Sequence, residues 1–396
     1  MKDPRRGLLS LLSAELFGQN DKMDFSEEDL TEIYRLAKTH AVSPLIYSRV
    51  KQTKNAPESI LKEERAKAVA VVLRNEKMMQ EQTRILAMFS AAGIPCAILK
   101  GSSAAVCYPH PEMRKLGDID ILLDSRQIPA AEKLLEADGY VWKHEYDFHS
   151  VYSCRDVVVE LHNEVSTFPD TQEGNYAKEY MSGALRHTHT ERMQEWEFPA
   201  LDSCYQLVAL LAHMEHHMIA TSIGLRQLCD WAVTVHHYRE QITDEVLQMM
   251  ERCGLLRFAK VLTQLCTMYL GLPEVGWCKG IDKAHVNMMY EEILFGGNIR
   301  TSSVEKALSS VFIDRSARSA PNFLKTYISK MNGQAKREHP FLEKAPFLLP
   351  VFWVYYPVRW KIRVLFGKRK NVGVAATLQL ANRRKRLYDW LNLFKH

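Results

Sequence analysis

Apolar and polar positions recur with two different periods along this chain, and the changes of period divide it. From Leu8 to about Ser90 the spacing is helical. In "SEEDLTEIYRLAKTH", Leu30, Ile33, Tyr34 and Ala37 fall on one helical face, Ser26 stands where an N-cap belongs, and Asp29 completes a capping box. A second long amphipathic helix is predicted from about Glu58 to Ala92, ending at Gly93. At "IPCAILKG" the pattern changes to a short β-rich run closed by Gly101, and "SSAAVCY" follows as a brief helix. "DIDILLD" reads as the next strand, and "SRQIPAAEKLLEADGY" as a helix with Ser125 as its cap and Gly139 as its stop. "FHSVYSC" and "VVVELHNEV" read as two strands joined by a tight turn at Arg155-Asp156. The expected core is therefore β-α-β-α-β-β over about residues 94–165. Helical periodicity returns from Asp202 to about Gly271, and a further helix is expected at 282–295, with loops around Gly296-Gly297.

Composition narrows the class. A chain of 396 residues, 46% hydrophobic and 25% charged, is long enough for two or three domains with real cores. Its eight cysteines are scattered, without a C-x-x-C pair, which favours reduced, buried thiols in a cytoplasmic protein over disulfides or a zinc site. The N-terminal "MKDPRRGLLSLLSAELFG" has an apolar run broken by Ser and Glu at helical spacing, so it reads as a first helix, with a signal peptide the weaker alternative. The net charge of +5 is uneven. Residues 351–396 carry eleven Lys and Arg against one acid, which leaves 41 basic and 46 acidic residues before them, a net −5.

The chemistry concentrates in "KGSSAAVCYPHPEMRKLGDIDILL". In a strand, Asp118, Asp120 and Leu122 share one face, so two carboxylates stand close together and repel. Such a pair is tolerated when water, a basic group or a divalent cation compensates, and Mg²⁺ (or Mn²⁺) suits carboxylate and phosphate oxygens. Gly101 and Ser102, at the start of a short helix, offer backbone N–H groups to a phosphate. An isolated Asp-x-Asp more often marks a solvated strand end, but the Gly-Ser turn, the intervening helix and the apolar run after the acids favour a site. Glu160 is the sole acid of "VVVELH" and a candidate third carboxylate; an exposed edge position is its plain alternative. His213 and His217 stand four residues apart on a predicted helix, spaced for metal chelation but without an obvious third ligand, which favours packing. Arg226 and Asp230 have the spacing of a helix salt bridge.

"LKGSSAAVCYPHPEMRKLGDIDILL", "VVVELHNEV" and "LVALLAHMEHHMIATSIGLRQLCDWAVTV" together resemble a family of uncharacterised nucleotidyltransferases within the polymerase-beta-like superfamily. The resemblance runs over about residues 8 to 250, and "AKTHAVSPLIYSRV" fits its leading helices. It implies an α+β fold: a small mixed-sheet nucleotidyltransferase core with N-terminal and C-terminal helical regions. It implies that Asp118, Asp120 and Glu160 hold metal, that Gly101 and Ser102 form the nucleotide-phosphate turn, and that Lys100 and Arg114 neutralise triphosphate. His162, His213, Arg226 and Asp230 become candidates for the acceptor site. The fifteen residues between Ser102 and Asp118 are a little more than is usual in the wider superfamily.

The C-terminal "APFLLPVFWVYYPVRWKIRVLF" is apolar and aromatic over too short a run to cross a bilayer, and Pro350 and Pro357 interrupt it. With "GKRK" and "NRRKR" behind it, it suits an anionic lipid surface; a helix packed on the core and a nucleic-acid contact are the alternatives. The expected organisation is a helical region at 1–93, a nucleotidyltransferase core at 94–200, a helical domain at 201–345 and a basic aromatic tail at 346–396. The expected activity moves a nucleotidyl group from a nucleoside triphosphate to an acceptor hydroxyl or phosphate. The setting is cytoplasmic or peripheral at the inner membrane surface, with surface-polysaccharide metabolism as one context. A non-catalytic nucleotide-binding module of the same fold is the alternative.

Overall fold

A computed structural model of the chain describes residues 3–19, 24–53, 56–146, 148–220, 223–296, 345–365 and 374–393, with several positions between 328 and 343. Gly297 and the Lys368-Arg369-Lys370 cluster lie outside the described residues. Helices α1 (Pro4–Phe17), α2 (Glu27–Thr39), α3 (Ser43–Lys51) and the 34-residue α4 (Glu58–Ala91) come first. The predicted capping box forms: Ser26 Oγ accepts from the Asp29 N–H, and Asp29 accepts from the Ser26 N–H.

Seven strands then make one mixed sheet in the order β3-β4-β5-β2-β1-β7-β6. They are β1 (Cys96–Leu99), β2 (Ile119–Leu123), β3 (Val141–Tyr146), β4 (His149–Cys154), β5 (Val157–His162), β6 (Thr188–Met193) and β7 (Trp196–Leu201). Helix α5 (Gly101–Ala105) links β1 to β2, α6 (Ile128–Ala137) links β2 to β3, and α7 (Gln172–Met181) follows β5. The turn between β4 and β5 places Arg155 and Asp156 both at positive φ, the geometry of a tight two-residue hairpin.

Strand alternation gives the sheet two different faces. Ile98, Ile119, Ile121, Val159 and Leu161 pack against Met78, Met79, Ile85 and Phe89 of α4 and Ala131 and Leu135 of α6. Ala97, Leu99 and Leu122 face the larger helical core. That core includes α8 (Ser203–Ala220), α9 (Leu225–His237), α10 (Asp244–Arg252), α11 (Leu256–Tyr269) and α12 (Lys283–Gly296).

Two local expectations are corrected. Ser125 opens a short 3-10 turn capped by Asp124, and α6 begins three residues later at Ile128. Strands β3, β6 and β7 were not expected; β3 and β6 are the two outer strands, bury little, and so carry no clear apolar alternation. Strand β7 holds Pro199, which weakens its signal as a strand. The tail divides in two. Helix α14 (Val374–Leu391) docks on the core through Arg384, which donates to Glu292 at 3.0 Å and to the Met218 carbonyl at 3.2 Å. Helix α13 (Leu349–Leu365) keeps much of its apolar surface outside.

Candidate active site

Strand register gathers the acids. On adjacent parallel strands Asp120 pairs with Glu160, and Leu122 with His162, so both acids and His162 lie on the face toward the helical core. Asp118 stands just ahead of β2 and is half-buried, whereas Asp120 is buried. One carboxylate oxygen from each of Asp118, Asp120 and Glu160 lies within 4.8 Å of the others. Three converging carboxylates form a hard-oxygen donor set, which fits a divalent cation of the Mg²⁺ or Mn²⁺ type.

Asp120 is the best compensated of the three. Lys100 Nζ lies 2.8 Å from its Oδ1, and His162 Nε2 lies 2.9 Å from the same atom. Burial alone would raise this carboxyl, but Lys100 and the His162 hydrogen bond prevail and hold it well below the usual range. Lys100 itself has a φ of +48°, rare for a residue with a side chain, at the junction between β1 and α5. This kink carries the ammonium from the end of β1 onto β2.

Asp118 has no ion-pair partner among the described residues. Burial pushes its carboxyl up to about 6, aided by repulsion from Asp120 and Glu160. Since that lies above the ordinary 3.8, the protonated form favours the fold below pH 3.8, and this contribution is lost as pH rises through about 6. Cation affinity runs the other way, because the ligand is the carboxylate. Mn²⁺ affinity is expected to climb about tenfold per pH unit below pH 6 and level off above it. Titration across this range tests the point: a flat affinity removes Asp118 from the donor set.

Ser102 and Arg114 have contacts the sequence did not disclose. Ser102 Oγ donates to Gln82 Oε1 of α4 at 2.7 Å, so its hydroxyl is occupied by the fold. A Cβ built on Gly101 would sit 3.6 Å from the Asp118 carbonyl oxygen, which places the Gly101 turn directly beside the first aspartate. Arg114 reaches α9 and grips Asp230 with two bonds, Nη2 to Oδ2 at 2.7 Å and Nε to Oδ1 at 3.1 Å. Tyr108 adds a third bond to Asp230 at 2.7 Å. The expected Arg226–Asp230 helix pair therefore does not form. A bidentate guanidinium from another element takes the carboxylate in a dry environment, where the better geometry wins.

Arg226 is left without an ion-pair partner among the described residues. Burial, and then the Arg114 charge, lower its affinity for its proton, while Asp230 and Asp118 act in the opposite sense. A part-buried cation of this kind near Asp118 is suited to an anion. His213 and His217 contact each other edge to face, centroids 4.2 Å apart, and burial drives both well below their usual range, so they are neutral at pH 7. Neither belongs to a three-ligand group among the described residues.

Sequence reasoning missed His149 and Tyr108. His149 lies on β4 directly across from His162, with Nε2 3.5 Å from Glu160 Oε2. Its place in the "FHSVYSC" strand was legible; its pairing partner was not.

The chain belongs to a family described as uncharacterised nucleotidyltransferases, whose sequence profile matches residues 26–271. No curated protein matches it.

Proposed function

We propose that this member of the nucleotidyltransferase family is a divalent-metal-dependent enzyme that transfers a nucleotidyl group to an acceptor hydroxyl or phosphate. The observation that carries the reading is the convergence of Asp118, Asp120 and Glu160 within 4.8 Å, beside the Lys100-Gly101 turn. Asp118, Asp120 and Glu160 would hold Mg²⁺ or Mn²⁺, which when bound supplies positive charge to triphosphate oxygens. The backbone N–H groups of Gly101 and Ser102 face the phosphates, and Lys100 neutralises them in exchange for Asp120. The acceptor oxygen bonds to the α-phosphorus, the α–β bridging bond breaks, and pyrophosphate leaves with the electron pair. Glu160, the more exposed of the two strand carboxylates, takes the acceptor proton. Arg226 holds an anionic part of the acceptor or of the triphosphate, on the helix side of the site.

The test is release of labelled pyrophosphate from each of the four nucleoside triphosphates, with Mg²⁺ or Mn²⁺ and a panel of hydroxyl and phosphate acceptors. Metal-dependent release supports the reading. Tight nucleotide binding with no turnover on any acceptor supports the second reading, a nucleotide-binding accessory or regulatory module. One observation favours that second reading: Lys100 and His162 both contact Asp120 Oδ1, and so supply charge compensation of the kind a cation would give.

The tail bears on where the acceptor resides. Val351, Val354, Tyr355 and Val358 recur at helical spacing along α13, Phe347 lies in the 3-10 turn just ahead of it, and all five are exposed, Phe347 by 77%. The basic sequence after Val358 complements an anionic headgroup layer. No described helix is long and apolar enough to cross a membrane. An acceptor presented at a lipid surface, as in surface-polysaccharide assembly on the inner membrane face, is the setting this stripe favours over nucleic acid. The chain is expected to float with phosphatidylserine vesicles, and the Val351→Asp, Val354→Asp double variant to remain in the pellet fraction. Equal flotation of the two would exclude the stripe as a lipid contact. Truncation is a poorer test, because it also removes the docked Arg384.

A further inference from the structure

The donors around Glu160 are not all carboxylates. His149 on β4 is the register partner of His162 on β5, and Glu160 lies two residues from His162, so all three share one face of the sheet. The two imidazoles stack with centroids 4.8 Å apart and planes 21° from parallel. Both rings turn Nε2 toward the same atom: Glu160 Oε2 is 3.5 Å from His149 and 3.3 Å from His162. Both separations are longer than the 2.9 Å bond that His162 Nε2 makes to Asp120 Oδ1, so a cation held here would take that nitrogen over from Asp120, which keeps Lys100. The ligand atoms of His149, Glu160 and His162 all lie within 4.8 Å of one another, as do those of the carboxylate group, and Glu160 belongs to both. His162 is fully buried, and its Nδ1 has no hydrogen-bond partner among the described residues, so its polar contacts run through Nε2.

We propose that His149, Glu160 and His162 form a second metal position, which takes Zn²⁺ or a similar late first-row ion in preference to Mg²⁺. Imidazole nitrogen suits zinc and cobalt, whereas magnesium prefers an oxygen shell, so the two adjoining donor sets select different ions. Three protein ligands leave a coordination position for water or a substrate oxygen. The proposal builds on the placement of Glu160 in the active site, but it does not require turnover.

The test uses the full chain without a polyhistidine tag, stripped by chelator and titrated with Co²⁺ and Zn²⁺. One equivalent of Co²⁺ is expected to give visible ligand-field absorption, displaced by Zn²⁺ and resistant to a large excess of Mg²⁺. His149→Ala should weaken Zn²⁺ binding at least about tenfold. His149→Gln, which fills more of the space, should do the same while the circular dichroism spectrum is unchanged. Asp118→Asn should leave Zn²⁺ binding close to wild type, and Glu160→Gln should weaken both Zn²⁺ and Mn²⁺. Absence of the cobalt band in folded protein, or unaltered Zn²⁺ affinity in both His149 variants, overturns the proposal. If that happens while Mg²⁺-dependent pyrophosphate release persists, the nucleotidyl-transfer reading survives. If zinc binds but no nucleotide does, the failure belongs to that reading and not to this site.

Discussion

Asparagine at Asp118 is expected to abolish metal-dependent pyrophosphate release, by about a thousandfold or more, while leaving the protein as stable as before or slightly more so. The loss follows from removing one of three oxygen ligands, since several kcal/mol of transition-state charge stabilisation correspond to about three powers of ten in rate. The gain in stability follows from electrostatics. Burial and the neighbouring acids make the ionised Asp118 unfavourable at neutral pH, and the substitution removes that charge. Asp120→Asn should be as inactive but less stable, because it leaves the half-buried Lys100 without its carboxylate. Rates and denaturation midpoints of the single variants check both halves. Turnover persisting in Asp118→Asn would remove the carboxylate triad from the chemistry. A marked fall in its stability would contradict the electrostatic account.

Arg114→Ala is expected to cost about 3–5 kcal/mol of folding stability, the usual result of stranding a buried carboxylate. Arg114 is 5% exposed and Asp230 3%, and the removal leaves Asp230, among the described residues, with the Tyr108 hydroxyl as its side-chain hydrogen-bond donor. Burial opposes the charge on Arg114, but Asp230 more than offsets it, so the guanidinium binds its proton more firmly than usual. Arg226→Ala provides the contrast. Its guanidinium lacks an ion-pair partner among the described residues, so the variant should fold with near-normal stability and bind its anionic substrate poorly. Urea unfolding and nucleotide titration of the two variants separate the roles. If Arg114→Ala instead keeps its stability and loses only nucleotide affinity, Arg114 is a substrate ligand, and its bond to Asp230 is incidental.

Much of the site's neighbourhood was legible because it depends on short-range order. The two-residue period of "DIDILL" places Asp120 on the face opposite Ile119 and Ile121, and the same period places Glu160 with His162. Helical spacing and Gly93 define the end of α4 to within about two residues. The tail is legible as basic, with a lipid surface, a packed helix or nucleic acid as its contact, but not as two parts with different contacts. In the fold Arg384 is 1% exposed and bonded to Glu292, while the apolar stripe lies on a different helix.

Local pattern by itself determined the mixed α and β character of the chain, the capped second helix, the apolar strand that carries two aspartates, and the concentration of positive charge at the end. Each of these follows from periodicity or composition within a few residues. The partners of the charges were decided only when distant segments met. Asp230 lies four residues from Arg226 yet pairs with Arg114, which is 116 residues away, and His149 reaches Glu160 because antiparallel register sets β4 beside β5. A buried charge takes the partner whose geometry best repays its lost water, and that choice depends on three-dimensional packing, which spacing along the chain does not encode.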